Sequence, residues 1–441
     1  MGCAWRFDWH QHDYVKEVAL PAYEWFFDDV NPPVQAWAAL EVFVIDGARD
    51  LDFLERVFDK LLINFTWWVN HQSAAETNLF SGGFLGLDNI GPLDRSNLPV
   101  RGSLTQADAT AWMAFYAISL GAIATILYRS GRPTSDLTIK FLEHFASITR
   151  AMAGQDLWDE ADGFYYDRLN LPDGSSYLIR VRSMVGVLPL LASILLDERA
   201  IRGAQRLGKQ FAHLLGDRMA TPEELRARGI LRGPEGDRHL LLGVVALDRL
   251  LRVLSRVLDE EEFLSPYGLR SLSRAHRDAP YRIDVEGLSA VVDYEPAEST
   301  TSMFGGNSNW RGPVWLPLNH LLIGTLEQYG RFFGDDVTIE YPARSGNQLP
   351  FAEVAADLRR RVVSLFLVDA SGRRPCFGGE ERLQTDPRWK NNLLFHEYFH
   401  GDDGAGLGAS HQTGWTALVA DLIVRRPGSG AAVLANLWDV E

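Results

Sequence analysis

The chain has 441 residues, 46% hydrophobic and 23% charged, with a net charge of −15. That balance excludes a disordered chain, and the acidity excludes a nucleic-acid or anionic-membrane surface, which needs concentrated Lys and Arg. Only Cys3 and Cys376 occur, too few for a disulfide framework or a thiolate metal site. A neutral partner suits this charge best.

In chain order, Met1 to Asp13 carry charges and two histidines with no apolar core, so no signal peptide is expected. No run of about 18 apolar residues predicts a membrane span. A cytoplasmic protein without nucleic-acid or membrane partners follows as the expectation. Apolar residues recurring at i, i+3, i+4 and i+7 predict helices over 34–45, 53–69, 107–128, 137–151, 184–196, 201–215, 240–258, 314–333, 354–368 and 413–424. Short strands are predicted only around 164–167 and 281–284. With no Pro/Gly/Ser linker or low-complexity tract, one domain over 1–441 is expected, with 1–18 an atypical N-terminal segment.

Roughly ten sequential helices point to an all-α chain of antiparallel hairpins, not to a sheet that needs alternating strands. An α-solenoid and a closed toroid of hairpins both satisfy that pattern. A solenoid carries a fixed sequence period, and none is present, so the toroid is expected.

The loops carry the chemistry. Residues 82–90, 304–315 and 395–415 mix Trp, Tyr, Asp, Glu, Asn and Gly densely. Sugars call for this mixture: their C–H faces stack on aromatic rings and their hydroxyls need directional polar partners. Glycoside hydrolysis needs one carboxylic acid at the leaving oxygen and a second carboxylate opposite. Asp88, between glycines and apolar residues, suits a raised acid pKa. Glu397 is flanked by aromatics and histidines. Taken alone, Asp88 is equally readable as a turn or helix-cap residue, and Glu397 as half of a structural ion pair. His396-Glu397-Tyr398-Phe399-His400 matches the zinc-protease motif H-E-x-x-H. The motif works only on a helix, and Gly401, Gly404, Gly406 and Gly408 oppose one.

Longer phrases carry a resemblance. They include Phe84-Leu85-Gly86-Leu87-Asp88-Asn89-Ile90, Gln106-Ala107-Asp108-Ala109-Thr110-Ala111-Trp112-Met113 and Asp293-Tyr294-Glu295-Pro296. Gly306-Asn307-Ser308-Asn309-Trp310-Arg311-Gly312-Pro313 and Gly408-Ala409-Ser410-His411-Gln412-Thr413-Gly414-Trp415 complete the set. From about Leu20 to the last helix, the chain resembles glycoside hydrolase family 63, the family of processing α-glucosidase I and its bacterial relatives. The resemblance implies an (α/α)6 toroid, inverting hydrolysis of a small carbohydrate and no metal or other cofactor. It places the general acid on Asp88, with Asp94 a competing acid, and the general base on Glu397. Asp108, Trp310, Arg311, Trp315, His411 and Trp415 then look like sugar-subsite residues, joined by Arg95, Trp112 and Asn307 in or beside the same phrases.

One departure stands out: Met1 to Val18 lack the aromatic Trp-Asp phrase of the first hairpin, and ten helices make five hairpins, not six. An N-terminally truncated barrel, inactive or merely sugar-binding, is the alternative this leaves open. The particular glycoside and the oligomeric state are not legible, and an N-glycan role is not expected without a secretory signal.

Overall fold

The computed structural model describes residues 21–23, 26–71, 78–81, 90–95, 97–154, 156–201, 221–300 and 309–425. The expectations for residues 1–18, the helix over 202–215, Asp88 and Asn307 lie outside the described residues. Helix α1 (Gln35–Ile45) buries Ala36, Ala39 and Phe43. Helix α2 (Leu51–His71) starts where the Asp50 carboxylate accepts the Phe53 N–H at 2.8 Å, a side-chain N-cap. It buries Leu54, Phe58, Leu61, Phe65 and Trp68, one stripe of an amphipathic helix.

Helix α3 (Ala107–Arg129) is different, being buried on all faces over most of its length. It is long and apolar enough to cross a membrane, yet 89% of its most apolar stretch is buried inside the fold. An all-round apolar helix is what a central position requires. Helix α4 (Ser135–Ala153) packs back on α3 across a short turn and buries Thr138, Phe141, Phe145, Ile148 and Met152. Phe65 bridges this group, edge-on to Tyr116 at 5.4 Å and to Phe141 at 5.1 Å.

Helix α5 (Leu247–Val257) buries Leu250, Val253, Leu254 and Val257. Helices α6 (Leu316–Phe333) and α7 (Phe351–Ser364) pack closely, because Gly330 lacks the Cβ that would collide with Ala352 between them. Helix α8 (Leu418–Val424) lies against α6 and α7. Most apolar side chains join one core running through all of these helices.

Helices dominate as expected, and eight small two- or three-stranded sheets interleave with them among the described residues. Strands Phe164–Tyr165, Asp167–Asn170 and Tyr281–Val285 cover the two segments predicted as strand. Residues 184–196 form no α-helix. They make two 3-10 turns, Met184–Gly186 and Leu188–Leu191, followed by the strand Ser193–Leu196. Pro189 lacks the N–H that a helix interior needs, and Gly186 lies too close to Tyr165 and Phe164 to admit a Cβ. The predicted helix over 240–258 begins only at Leu247, since His239–Gly243 pairs between Ser193–Leu196 and Leu231–Arg232. A short, continuously apolar run satisfies a buried strand as well as a helix, which is why periodicity misread both segments.

A second, smaller core fills the space under the hairpins, with Leu104, Leu169, Ile179, Leu272, Ile283 and Val292 at its centre. The loops entering α3 and α6 converge with the strand Tyr398–Phe399, and they carry the candidate site.

Candidate active site

Glu397 sits at the foot of a two-strand pairing, Tyr398–Phe399 with Gly406–Leu407. Its backbone N–H donates to the Ala409 carbonyl at 2.8 Å. The Ala409 N–H in turn donates to Glu397 Oε2 at 3.1 Å. Gly408 has φ +66°, and a Cβ there would stand 2.7 Å from that same Oε2 and 2.7 Å from the Tyr398 ring. Gly406 is pressed as closely on the His396 imidazole. The glycine-rich stretch is therefore a mould for the side chains of 396–398, and left-handed backbone at 408 is tolerated because no Cβ is present. Glu397 stays half-buried with its carboxylate oriented by backbone.

Beneath it lies a wall of four aromatic rings. Trp310 and Trp315 stack at 3.9 Å with 4° between their planes, and Trp315 stacks on Tyr398 at 4.6 Å. Trp415 tilts against Trp315 and Trp310 at 5.3 and 6.4 Å. The Trp315 indole N–H donates to the Asn309 carbonyl at 2.9 Å. Backbone bonds in both directions between Val314 and Phe399 fix this segment to the Glu397 strand. A further clamp holds the turn after it: Tyr294 OH and Arg270 Nη2 both donate to Asp402 Oδ1 at 2.9 Å. Burial pushes the Asp402 carboxyl upward, but the Tyr294 and Arg270 hydrogen bonds outweigh it and its pKa is lowered.

Arg311 is buried, and burial lowers its pKa against the pull of Glu295 and Asp293. Its guanidinium lies 3.7 Å from Glu295 and donates to the Gly91 carbonyl at 3.2 Å. Arg95 and Asp108 form a buried two-point ion pair, and Asp167 Oδ2 approaches Arg95 at 3.2 Å. Asp167 Oδ1 also accepts the Ala107 N–H at 2.9 Å, capping α3 from outside. Burial pushes the Asp167 carboxyl up to about 6, Arg95 opposing and the Asp108 charge adding to it.

A group whose pKa rises on folding stabilises the protein fully below its unfolded pKa and loses that contribution as pH rises through the folded value. Asp167 should therefore contribute stability that declines as pH rises from about 4 to about 6. Asp167→Asn keeps the acceptor for Ala107 and should flatten that decline in urea unfolding; equal slopes for the two proteins would contradict it.

Residues 240–416 match the family described as mannosylglycerate hydrolase MGH1-like glycoside hydrolase. That match takes in the 309–315 segment and the Glu397 loop. It is 44% identical over 439 residues to an uncharacterized protein of Saccharomyces cerevisiae, covering 94% of this chain and 40% of that protein. It is 25% identical over 179 residues to the mannosyl-oligosaccharide glucosidase of the same yeast, covering 40% of this chain and 15% of the relative. The chain thus spans less than half the length of these relatives. Among solved structures, it superposes on the family 63 mannosylglycerate hydrolase of Thermus thermophilus in complex with glucose. The TM-score is 0.44, with 18% identity over 92% of this chain and 75% of that one.

Several candidate residues prove to be internal. Asp108, Arg95, Trp112, Trp310, Arg311 and Trp315 are all buried. Arg95 and Asp108 pair with each other, Arg311 lies near Glu295, and Trp310 and Trp315 stack together. Trp415 is half-buried and His411 exposed, beside the Glu397 strand through the Phe395–His411 bridge. Asp94 is half-buried, and its Oδ1 accepts the Asn97 N–H at 2.9 Å, closing a turn. The H-E-x-x-H residues lie on extended chain, not on a helix, so the register of a zinc-protease motif is missing. His400 Nδ1 instead accepts backbone N–H groups of Asp402 and Asp403 at 3.3 and 3.2 Å. His396 is held toward its neutral form by burial and by His411. Among the described residues, no three His, Cys, Asp or Glu side chains converge as a metal site.

One residue escaped the sequence reading. Gln106, just before α3, is fully buried, and neither end of its amide has a hydrogen-bond partner among the described residues. The Trp112 indole N–H is buried and unpartnered as well. Water or a ligand hydroxyl would satisfy buried groups of this kind. In the sequence Gln106 reads as an ordinary helix-entry residue, and only its burial distinguishes it. Gln106→Leu removes two unsatisfied groups at similar volume, so stability should be unchanged or raised. Turnover on a glycoside should fall by about 10-fold or more if the amide meets substrate. A marked fall in melting temperature with unchanged kcat/KM would make Gln106 purely structural.

Proposed function

We propose that this chain is an inverting α-glycoside hydrolase for small α-linked glycosides, with Glu397 as general base and Asp88 as general acid. The observation that carries the reading is the Glu397 carboxylate, half-buried at the edge of the four-ring wall and oriented by Ala409. A base in this position activates water while the acid protonates the leaving oxygen from the other side. Asp88 lies outside the described residues, but Gly91, three positions downstream, is tied by Arg311 to the 309–315 segment. That segment pairs with Phe399, two residues from Glu397, which supports the reading that the acid and the base belong to one site. An inverting pair needs a gap of about 6.5–9.5 Å for its water.

The helical hairpins are proposed to form an (α/α)6-type toroid with this site at one end. Glucosides, mannosides and glycosylglycerates are the substrate class, since one relative is a mannosyl-oligosaccharide glucosidase and the matched family is named for mannosylglycerate hydrolysis. Reducing-sugar release from a panel of α-glucosides, α-mannosides and mannosylglycerate, with and without a chelator, tests the proposal. Release that a chelator leaves unchanged is the expected result. Silence across the panel, or activity lost with the chelator, would overturn it.

A further inference from the structure

A cavity of about 440 Å³ opens among α1, the later part of α3, the strand Ser193–Leu196 and α6. Neither the Glu397 loop nor residues 309–315 line it, so it is separate from the site above. Its walls are largely hydrocarbon, with Trp37, Phe115, Ile118, Leu191, Leu242 and Leu321 contributing. Most charges around it are already matched: Arg425 pairs with Glu41, Arg359 with Glu327, and His320 Nε2 with Asp421 at 2.8 Å. Asp197 Oδ1 accepts the Ala200 N–H at 2.8 Å.

Arg331, like His239 in the same lining, is an exception. It lines the cavity and has neither an ion pair nor a hydrogen bond among the described residues. Its side chain is exposed at the mouth of the cavity; partial desolvation there lowers its pKa and Glu327 opposes that shift. His320, nine-tenths buried in the same wall, has an Nδ1 with no partner among the described residues. The volume lies in the range of small-molecule sites, which combine apolar walls with a few placed polar groups.

We propose that this cavity binds a small monocarboxylate with an apolar body, its carboxylate held by Arg331 and its hydrocarbon by the walls. A planar guanidinium takes a carboxylate through two parallel hydrogen bonds, while the apolar walls behind it receive the hydrocarbon. The acidic chain as a whole repels anions, so this site selects by local geometry and not by general attraction.

Octanoate and its neutral counterpart octanamide, titrated into the full chain by calorimetry and saturation-transfer NMR, test the assignment. Octanoate should bind saturably and octanamide about tenfold or more weaker. Arg331→Gln should bring octanoate down to the level of octanamide. Gly324 lines the cavity on α6, and a Cβ there meets nothing within 4 Å. Gly324→Leu should therefore fill the space without clash, abolish binding of both probes and leave the melting temperature unchanged or higher. Absence of saturable octanoate binding, or octanoate binding indifferent to both substitutions, overturns the proposal.

Discussion

Glu397→Gln is expected to lower kcat on a cleavable glycoside by about 10²–10⁴-fold, the usual contribution of a general base. The substitution is well suited to separate chemistry from structure. Glutamine keeps an oxygen able to accept the Ala409 N–H, and Glu397 is half-buried with no role in the main core. Melting temperature should move little, and KM should change far less than kcat, because the lost step occurs in the transition state. Unchanged turnover would remove Glu397 from the mechanism, while a collapse in stability would recast it as a structural residue.

Gly408→Ala should produce the second large effect without touching any chemical group. An Ala Cβ would enter at 2.7 Å from Glu397 Oε2 and from the Tyr398 ring, on a backbone with φ +66°. The strained backbone costs about 1–2 kcal/mol, a modest loss for a chain of this size. Displacement of the carboxylate is the larger consequence, since a shift of about 1 Å in a catalytic group can cost about 10²-fold. A large fall in kcat with a small fall in melting temperature is therefore expected. Kinetics indistinguishable from the parent would show that Oε2 need not occupy the position it holds beside Gly408.

Much of this was legible in the residues themselves. Helices α2, α3 and α4 follow their apolar periodicity almost to the residue, because long amphipathic or wholly apolar segments leave little choice of structure. Residues 184–196 and 240–246 were misread because a short apolar run is ambiguous until its partner strand is known, and those pairings cross tens of residues. The Glu397 loop was recognisable from its glycines and aromatics. Its mechanics were not, since the contacts of Gly406 with His396 and Gly408 with Glu397 depend on a return of the chain. Nor could the sequence reveal which polar residues point inward. Arg95 meets Asp108 and Asp167 across 13 and 72 positions, and Arg311 reaches back to Gly91. These pairings depend on chain segments far apart in sequence, which periodicity does not bring together.

Inverting hydrolysis with Glu397 activating the water fixes which anomer is released first. The most direct measurement is proton NMR of the anomeric signals during the first minutes of cleavage of an α-linked substrate by the parent chain. The account predicts that the β-anomer forms first and the α-anomer grows in only by mutarotation. An α-anomer formed first would mean retention, and would contradict the role given to Glu397.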